Sequence, residues 1–444
     1  MSASTPFSDE FLNPNIGREI HDFACQLWPI NRSITGAGVR QTLEMIKAHV
    51  PTLVTRDIAT GTQVFDWTVP QEWFVREAWI KTPDGRKICD FSKNNLHLVG
   101  YSVAVNKTIS KEELETHLYS RPDLPDAIPY VTSYYKPRWG FCITDTERQQ
   151  LPDGDFHVFV DADHFDGSLT YGEAFFEGET DDEILISTYV CHPSMANNEI
   201  SGVAVSTFLA RLVANMKSRR FGYRFVFVPE TIGSIAFLSQ NLNALKAKVK
   251  GGFNLTCIGD DRSYSFLPSR DGNTISDNTA RHVLGHIDAS TTYFEWLDRG
   301  SDERQYCAPG IDLPIASIMR TKYGTYPEYH TSLDDLKTVV TPAGLAGGFV
   351  AACRCVEALE HHCFPKVTVL GEPQMGRHGL YPTLSHGKAS SDLRLMMNAI
   401  SYADGQHSML DIATRCKVSV WMLYEIFDRL EEKGLIVKND TLKK

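Results

Sequence analysis

The chain has 444 residues, 42% of them hydrophobic and 22% charged, and its formal net charge is −11. This size predicts about two or three domains, and the negative charge argues against bulk nucleic acid or an anionic membrane surface as the main partner. Residues 1–6 lack a signal-peptide pattern, and no apolar run reaches the ~20 residues that span a bilayer. The ten cysteines are scattered without a Cys-x-x-Cys pair, which favours reduced thiols in a cytoplasmic protein.

The N-terminal part carries two helical patterns joined by a glycine-containing turn. Ile20, Phe23 and Leu27 share a face of the first pattern, and Val39 and Leu43 share a face of the second. The turn itself reads RSITGAG at residues 32–38. A phosphate loop is the alternative, but the turn lacks the Lys-Ser/Thr ending and a preceding strand. We therefore favour a helix-connecting turn.

Residues 54–165 change to short β-like runs that alternate with turns. Pro-Asp-Gly at Pro83 and at Pro152 marks two hairpin turns. Aromatic residues are dense around residues 130–141, where they either form a lid over a pocket or fill a small β core. We expect a β-rich domain inserted into an α/β domain.

Residues 184–238 show the order strand, polar turn, helix, strand, polar turn. This order is typical of a parallel sheet with crossover helices. His192 follows the first strand, and Glu230 follows the second. Because ligands bind outside the carboxyl ends of the strands in open α/β sheets, both residues are expected at one site.

Two further strand-like runs, at residues 252–260 and 313–320, extend the α/β pattern. The second run leads into a polar loop with His330, and a long helix follows with Thr341 as its expected N-cap. The tail, residues 393–437, has the order of a winged helix-turn-helix. Its candidate recognition helix is rich in acidic residues, so DNA binding is disfavoured and packing or dimerisation is preferred.

His192 and His330 are candidate ligands of one zinc ion, because both follow strands and lie in polar segments. Glu230 is the candidate base that takes a proton from water. Asp302 and Glu303 could bind the metal, orient a histidine or hold a substrate ammonium group. A turn with internal ion pairs is the alternative for these two carboxylates.

Taken together in this order, the motifs resemble the co-catalytic zinc aminopeptidase family. They are His192, NEISG at 198–202, PETIGS at 229–234, NLT at 254–256 and YHTSLDD at 329–335. Other segments resemble one branch of that family, the bacterial aminopeptidase-like proteins labelled for polysaccharide biosynthesis. They are PYVTSYY at 129–135, WGFC at 139–142, CHPS at 191–194 and GSDERQY at 300–306.

The resemblance implies an α/β fold of the zinc-exopeptidase type, with a mixed, mostly parallel sheet sandwiched by helices. It implies an aminopeptidase-like domain at residues 1–53 and 166–385. An inserted β-rich domain, similar to a protease-associated domain, is expected at residues 54–165. A winged helix-turn-helix domain is expected at residues 386–444.

Carried over by position, His192 and His330 match the first and last zinc ligands, and Glu230 matches the general base. Asn198 stands where the family has the aspartate that bridges two metals. Asn is a weak, neutral ligand, so the adjacent Glu199 is the alternative oxygen donor. Thr231 and Thr256 stand at the two remaining ligand positions. We therefore expect at most one zinc ion.

We therefore expect a zinc-dependent amide hydrolase that resembles an aminopeptidase and acts on a small aminoacyl or peptide-like substrate. A biosynthetic pathway is the expected setting by analogy, and homo-oligomerisation stays open. The expected substrate-binding residues are Asp302, Glu303, Arg304 and Tyr306. The alternative is a catalytically idle pocket protein with a sensing, regulatory or interaction role.

Overall fold

The structure is a computed structural model of the chain, and it describes residues 13–380 and 388–440. The segment at residues 1–6 and the predicted domain boundary at 385/386 lie outside the described residues. All ten cysteines are free thiols.

The helices of the described part are α1 (Ile16–Leu27), α2 (Ala37–His49), α3 (Lys111–Glu115), α4 (Asp145–Arg148), α5 (Ser201–Ala214), α6 (Ile232–Lys248), α7 (Ile275–Ile287), α8 (Glu303–Tyr306), α9 (Pro342–Glu360), α10 (Lys388–Ser401), α11 (Met409–Cys416) and α12 (Tyr424–Glu432). A single π-helical turn, Ala196–Ile200, leads into α5.

The strands are β1 (Val54–Ala59), β2 (Gln63–Val64), β3 (Trp67–Thr68), β4 (Glu72–Lys81), β5 (Lys87–Ile88), β6 (Val105–Ser110), β7 (Leu118–Tyr119), β8 (Phe141–Cys142), β9 (Asp155–Phe165), β10 (Ser168–Phe176), β11 (Glu183–Tyr189), β12 (Gly222–Val228), β13 (Val249–Leu255), β14 (Ser265–Leu267), β15 (Thr292–Tyr293), β16 (Ile315–Met319), β17 (Phe364–Val367) and β18 (Ile436–Asn439).

An eight-stranded mixed sheet forms the centre of the molecule, in the order β1-β10-β12-β11-β13-β16-β14-β15. The inner strands β12, β11, β13 and β16 are parallel neighbours. Antiparallel pairing occurs between β1 and β10, β10 and β12, and β14 and β16. The mixed, mostly parallel α/β sheet predicted from the sequence is therefore confirmed.

Both faces of this sheet are covered, as the apolar strand β11 requires. Ile184 and Ile186 pack into a core shared with α1, α5 and α9. Leu185, on the opposite face, packs into a second core that includes α6 and the inserted strands. Alternate residues of a strand point to opposite faces, so a strand buried on both sides is apolar throughout.

The inserted segment builds its own four-stranded antiparallel sheet, in the order β5-β4-β9-β6. Only two residues separate β9 from β10, so the inserted sheet is joined closely to the main one. Strand β1, which the sequence assigns to the insertion, pairs with β10 at the edge of the main sheet. The predicted domain limits at residues 53 and 165 stay a prediction.

The C-terminal segment packs against the α/β domain. Nε2 of His282, on α7, accepts a hydrogen bond from the backbone N–H of Val420 at 3.0 Å. The ring of Tyr424, at the start of α12, stacks on His361 with centroids 3.9 Å apart. An aromatic side chain of the candidate recognition helix therefore faces the protein.

Helix α9 is long and apolar enough to cross a membrane by length and composition, although the sequence predicted no such stretch. It has 19 residues, and an 18-residue stretch of it has a mean hydropathy of 1.2. However, 67% of that stretch is buried inside the protein. It packs against α1, α5 and α7. Its apolar composition is that of a core helix.

Candidate active site

The carboxyl ends of neighbouring strands converge, as the sequence predicted. His192 follows β11, Glu230 follows β12 and Thr256 follows β13, and these three strands are adjacent in the sheet. His330 comes from the loop after β16. The sheet thus places side chains that are far apart in sequence along one edge.

A cavity of about 330 Å³ lies at this edge. His192, Glu230, Arg304 and His330 line its polar side. Four aromatic residues, all from the inserted segment, line much of the rest: Trp67, Tyr130, Tyr134 and Tyr135. The insertion therefore supplies one wall of the site.

The imidazoles of His192 and His330 share this cavity, with ring centroids 5.5 Å apart. Tyr329 stacks on the His330 ring at 3.9 Å and fixes its plane. Nε2 of His330 is buried and has no hydrogen-bond partner among the described residues. Burial, together with the charge of His192, lowers the pKa of His330 to about 3, so its imidazole is neutral at physiological pH.

A carboxylate orients the His192 ring. Nδ1 of His192 lies 3.0 Å from the Glu199 carboxylate, which also accepts the backbone N–H of Cys191 at 2.6 Å. The other oxygen of Glu199 pairs with buried Arg32 at 2.7 Å. Burial works to lower the pKa of His192, but the hydrogen bond and charge of Glu199 outweigh it, and the pKa is raised. The ring thereby presents Nε2 to the cavity.

Glu230 lies beside this nitrogen, with its carboxylate 3.8 Å from Nε2 of His192. Its side chain is partly accessible from the cavity. Burial raises the pKa of Glu230, and the charges of His192 and Arg304 work against that rise. A carboxylate with a raised pKa is suited to accept and return a proton near neutral pH.

The backbone at this edge is strained at four residues other than glycine. Positive φ angles occur at Ser194 (47°), Thr231 (64°), Cys257 (47°) and His330 (55°). The conformation of Thr231 is held from two sides. Its N–H donates to Asp302 at 2.7 Å, and its hydroxyl accepts from Arg304 at 2.6 Å. Strain of this kind concentrates where side chains must be placed accurately.

Asn198 is buried in the π-helical turn. Its Oδ1 atom is 3.1 Å from the hydroxyl of Tyr189, which also contacts the hydroxyl of Thr256 at 2.6 Å. The ring of Tyr189 lies 5.4 Å from that of His192. The Nδ2 atom of Asn198 is buried without a partner among the described residues.

Three of the four predicted substrate-binding residues do not line the cavity. The Glu303 carboxylate is buried and accepts the N–H of Gly300 at 2.9 Å and the hydroxyl of Tyr323 at 2.7 Å. Tyr306 is buried and bonded to Ser187 at 2.7 Å. Buried Asp302 supports Thr231, as described above. Arg304 is the one of the four that reaches the cavity.

Sequence reasoning did not find Arg32 as part of the site, and it left open whether Tyr130 belongs to a lid over a pocket or to a β core. Arg32 lies in the turn between α1 and α2, and it reaches Glu199 across 167 residues of sequence. Tyr130 places its ring 5.1 Å from His192 and 5.2 Å from His330. Arg32 is the one charged residue in the turn at residues 28–36, and that was the available signal.

Comparison with known proteins agrees with this architecture. Residues 21–362 match the model of a domain of unknown function, DUF4910, and residues 363–438 match a winged helix-turn-helix model. A protein of Clostridium acetobutylicum, named for polysaccharide biosynthesis and an aminopeptidase-like domain, is 41% identical over 399 residues. The match covers 89% of this chain and 91% of that protein.

Solved structures show the same fold. A crystal structure of a candidate peptidase from Clostridium acetobutylicum has a TM-score of 0.90 and 38% identity, covering 97% of this chain and all of that one. A zinc aminopeptidase from Bacillus subtilis has a TM-score of 0.54 at 13% identity, covering 76% of this chain and 93% of that one. At 13% identity, the similarity to the Bacillus subtilis enzyme shows the fold alone. The chain therefore belongs to the DUF4910 family, with an aminopeptidase-like α/β fold and a C-terminal winged helix-turn-helix domain.

Proposed function

We propose that the protein is a zinc-dependent amide hydrolase that acts on a small aminoacyl or peptide-like substrate. The observation that carries this proposal is the convergence of His192 and His330 on one cavity beside Glu230. The aminopeptidase-like fold and the naming of the Clostridium relative support a peptidase-like role.

The donor atoms fit one zinc ion. His330 has a buried Nε2 without a hydrogen-bond partner in the described part of the chain. Nδ1 of His192 is hydrogen-bonded to Glu199, so Nε2 of that ring is the nitrogen left for the ion. Catalytic zinc takes about three protein ligands, commonly imidazole nitrogens and an oxygen. Among the described residues, Cys191, His192 and Glu199 also form a compact donor group. We do not assign that group to zinc, because both Glu199 oxygens already accept from Arg32, His192 and backbone N–H groups.

Asn198 is our proposed oxygen donor. Rotating its amide by half a turn exchanges the positions of Oδ1, which accepts hydrogen bonds and can bind a cation, and Nδ2, which only donates. In the rotated form Nδ2 donates to the hydroxyl of Tyr189, and Oδ1 becomes the atom without a protein partner. The buried amide is then satisfied once a cation binds. Glu199 acts behind His192 as a positioning residue.

Few groups take part in the proposed hydrolysis. A bound zinc ion would supply Lewis-acid polarisation of the carbonyl and of a water molecule. Glu230 accepts the proton of the attacking water and returns it to the departing amine nitrogen. The aromatic wall from the insertion limits access of bulk water to the amide.

Turnover of chromogenic aminoacyl and acyl amides tests the proposal. Chelation removes activity, zinc restores it, and His330→Ala abolishes it in a protein that still folds. Unchanged turnover after chelation or in His330→Ala rejects the zinc-dependent mechanism, and absence of turnover in the zinc-loaded wild type rejects the hydrolase. The second candidate, an idle pocket protein, is favoured by the neutral Asn198 at a carboxylate position, and it predicts bound zinc without turnover of any amide.

A further inference from the structure

Arg304 lines the cavity, and part of its hydrogen-bonding capacity is unused. Its Nη2 donates to Thr231, but its Nε is buried without a hydrogen-bond partner. Within the part of the chain that the structure describes, no carboxylate lies within ion-pair distance of this guanidinium, and its charge acts on Glu230 and Asp302 from further away. An arginine side chain presents a planar fork of donors that matches a carboxylate or another oxyanion.

The cavity offers no dedicated site for a substrate ammonium group. Among the described residues that line it, Glu230 is the one carboxylate, and the proposed chemistry uses it as the base. The carboxylates of Asp302 and Glu303 are buried behind the wall and accept hydrogen bonds from the protein. The lining therefore offers Arg304 to a negatively charged end of the substrate and, apart from Glu230, no carboxylate to a positively charged one.

Aromatic side chains form the opposite wall. Trp67 is 37% exposed and Tyr135 is 56% exposed, and their ring centroids lie 5.8 Å apart. A second hollow of about 320 Å³ continues past Tyr134 and Tyr135. Exposed rings at the mouth of a cavity bind apolar or ring-shaped groups.

We propose that the substrate is an N-acyl amino acid, an inference that rests on the proposed hydrolase function. Its carboxylate pairs with Arg304, and its apolar acyl group packs on Trp67 and Tyr135. The amide then lies between these walls, at His192 and Glu230. Water adds to the acyl carbon, the C–N bond breaks, and Glu230 carries the water proton to the nitrogen. The products are a carboxylic acid and a free amino acid.

Calorimetric titration of chelator-treated protein tests this substrate class without turnover and without competition from zinc for the carboxylate. The probes are N-benzoylglycine and its neutral analogue N-benzoylglycinamide. The wild-type protein binds the acid more tightly than the amide. Arg304→Gln weakens binding of the acid by about tenfold or more, as loss of a charge-assisted hydrogen bond predicts, and leaves binding of the amide unchanged.

Two variants separate recognition from general damage. Arg299→Gln, at an exposed arginine of the same segment, leaves both affinities unchanged. Arg304→Lys keeps the charge and retains part of the preference for the acid. Equal affinity of wild type for both probes, an equal loss of both in Arg304→Gln, or no binding of the acid at about 10 mM overturns the inference. Selective binding of the acid without turnover in the zinc-loaded protein rejects only the hydrolase.

Discussion

Nδ1 of His192 lies 3.0 Å from the carboxylate of Glu199. This contact fixes the tautomer of the ring and turns its other nitrogen towards Glu230 and His330. The buried ion pair between Glu199 and Arg32 holds the carboxylate in place. Two residues that do not line the cavity, Glu199 and Arg32, therefore fix the orientation of His192, which does.

Glu199→Gln should weaken both metal binding and the fold. Loss of the carboxylate behind a histidine ligand typically weakens metal affinity by about 10–100-fold. It also leaves Arg32 buried without its counter-charge, at a cost of about 3–5 kcal/mol in the free energy of unfolding. Zinc titration against a competing chelator and urea unfolding measure the two effects.

The double variant Arg32→Met with Glu199→Gln is the control for this experiment. It removes both charges, so it should recover part of the unfolding free energy but none of the zinc affinity. Recovery of both quantities together would mean that Glu199 acts on stability alone.

Glu230→Gln should abolish catalysis and spare the metal. Removal of a general base typically lowers kcat by about 10²–10⁴-fold, while the two imidazoles remain. Steady-state kinetics and metal content, measured on the same preparation, check both parts. A Glu230→Gln protein that keeps near-wild-type kcat contradicts the assigned role.

Asp302 should make the protein less stable as pH rises. Burial, with the charge of Glu230, raises the pKa of Asp302 to about 8, whereas its ordinary value is 3.8. Between these values the folded state holds a proton that the unfolded chain has lost, so the free energy of unfolding falls as pH increases. Asp302→Asn mimics the protonated acid and removes this contribution.

Urea unfolding of wild type and Asp302→Asn at pH 5 and pH 8 measures this effect. The variant should gain more stability relative to wild type at pH 8 than at pH 5, because pH 5 is closer to the ordinary pKa of 3.8. A difference between the two proteins that is the same at both pH values shows that Asp302 is ionised throughout.

His282 should couple the winged helix domain to the α/β domain. Replacement by leucine leaves the buried N–H of Val420 without its acceptor, at a cost of about 1–3 kcal/mol. Burial, with the charge of His286, lowers the pKa of His282 to about 4, so the docked form needs the neutral ring. The stabilisation is present above about pH 6.5 and declines as pH falls towards 4.

Limited proteolysis and unfolding of His282→Leu at pH 7 and pH 5 test this coupling. Arg281→Gln, at an exposed position of the same helix, is the matched control. If His282→Leu resists proteolysis as well as Arg281→Gln does, the docking contact has no energetic role.

The sequence predicted the strand-end positions of His192 and Glu230 because the rule that places them is local, a polar turn after an apolar strand. It also predicted the winged helix, which has its own periodic pattern. It did not predict Arg32 at the site and left the role of Tyr130 open between a lid and a β core, because their contacts join segments far apart in sequence. It placed Glu303 and Tyr306 in the substrate site, where the fold instead pairs them with buried neighbours.

Zinc content is the most direct test of the claim that His192 and His330 hold one ion. The wild type and His286→Ala, dialysed against zinc and then buffer, should retain about one zinc per chain. His330→Ala and His192→Ala should lose it while their circular dichroism spectra stay unchanged. Full retention of zinc by folded His330→Ala, or a wild type that binds no zinc, would contradict the account.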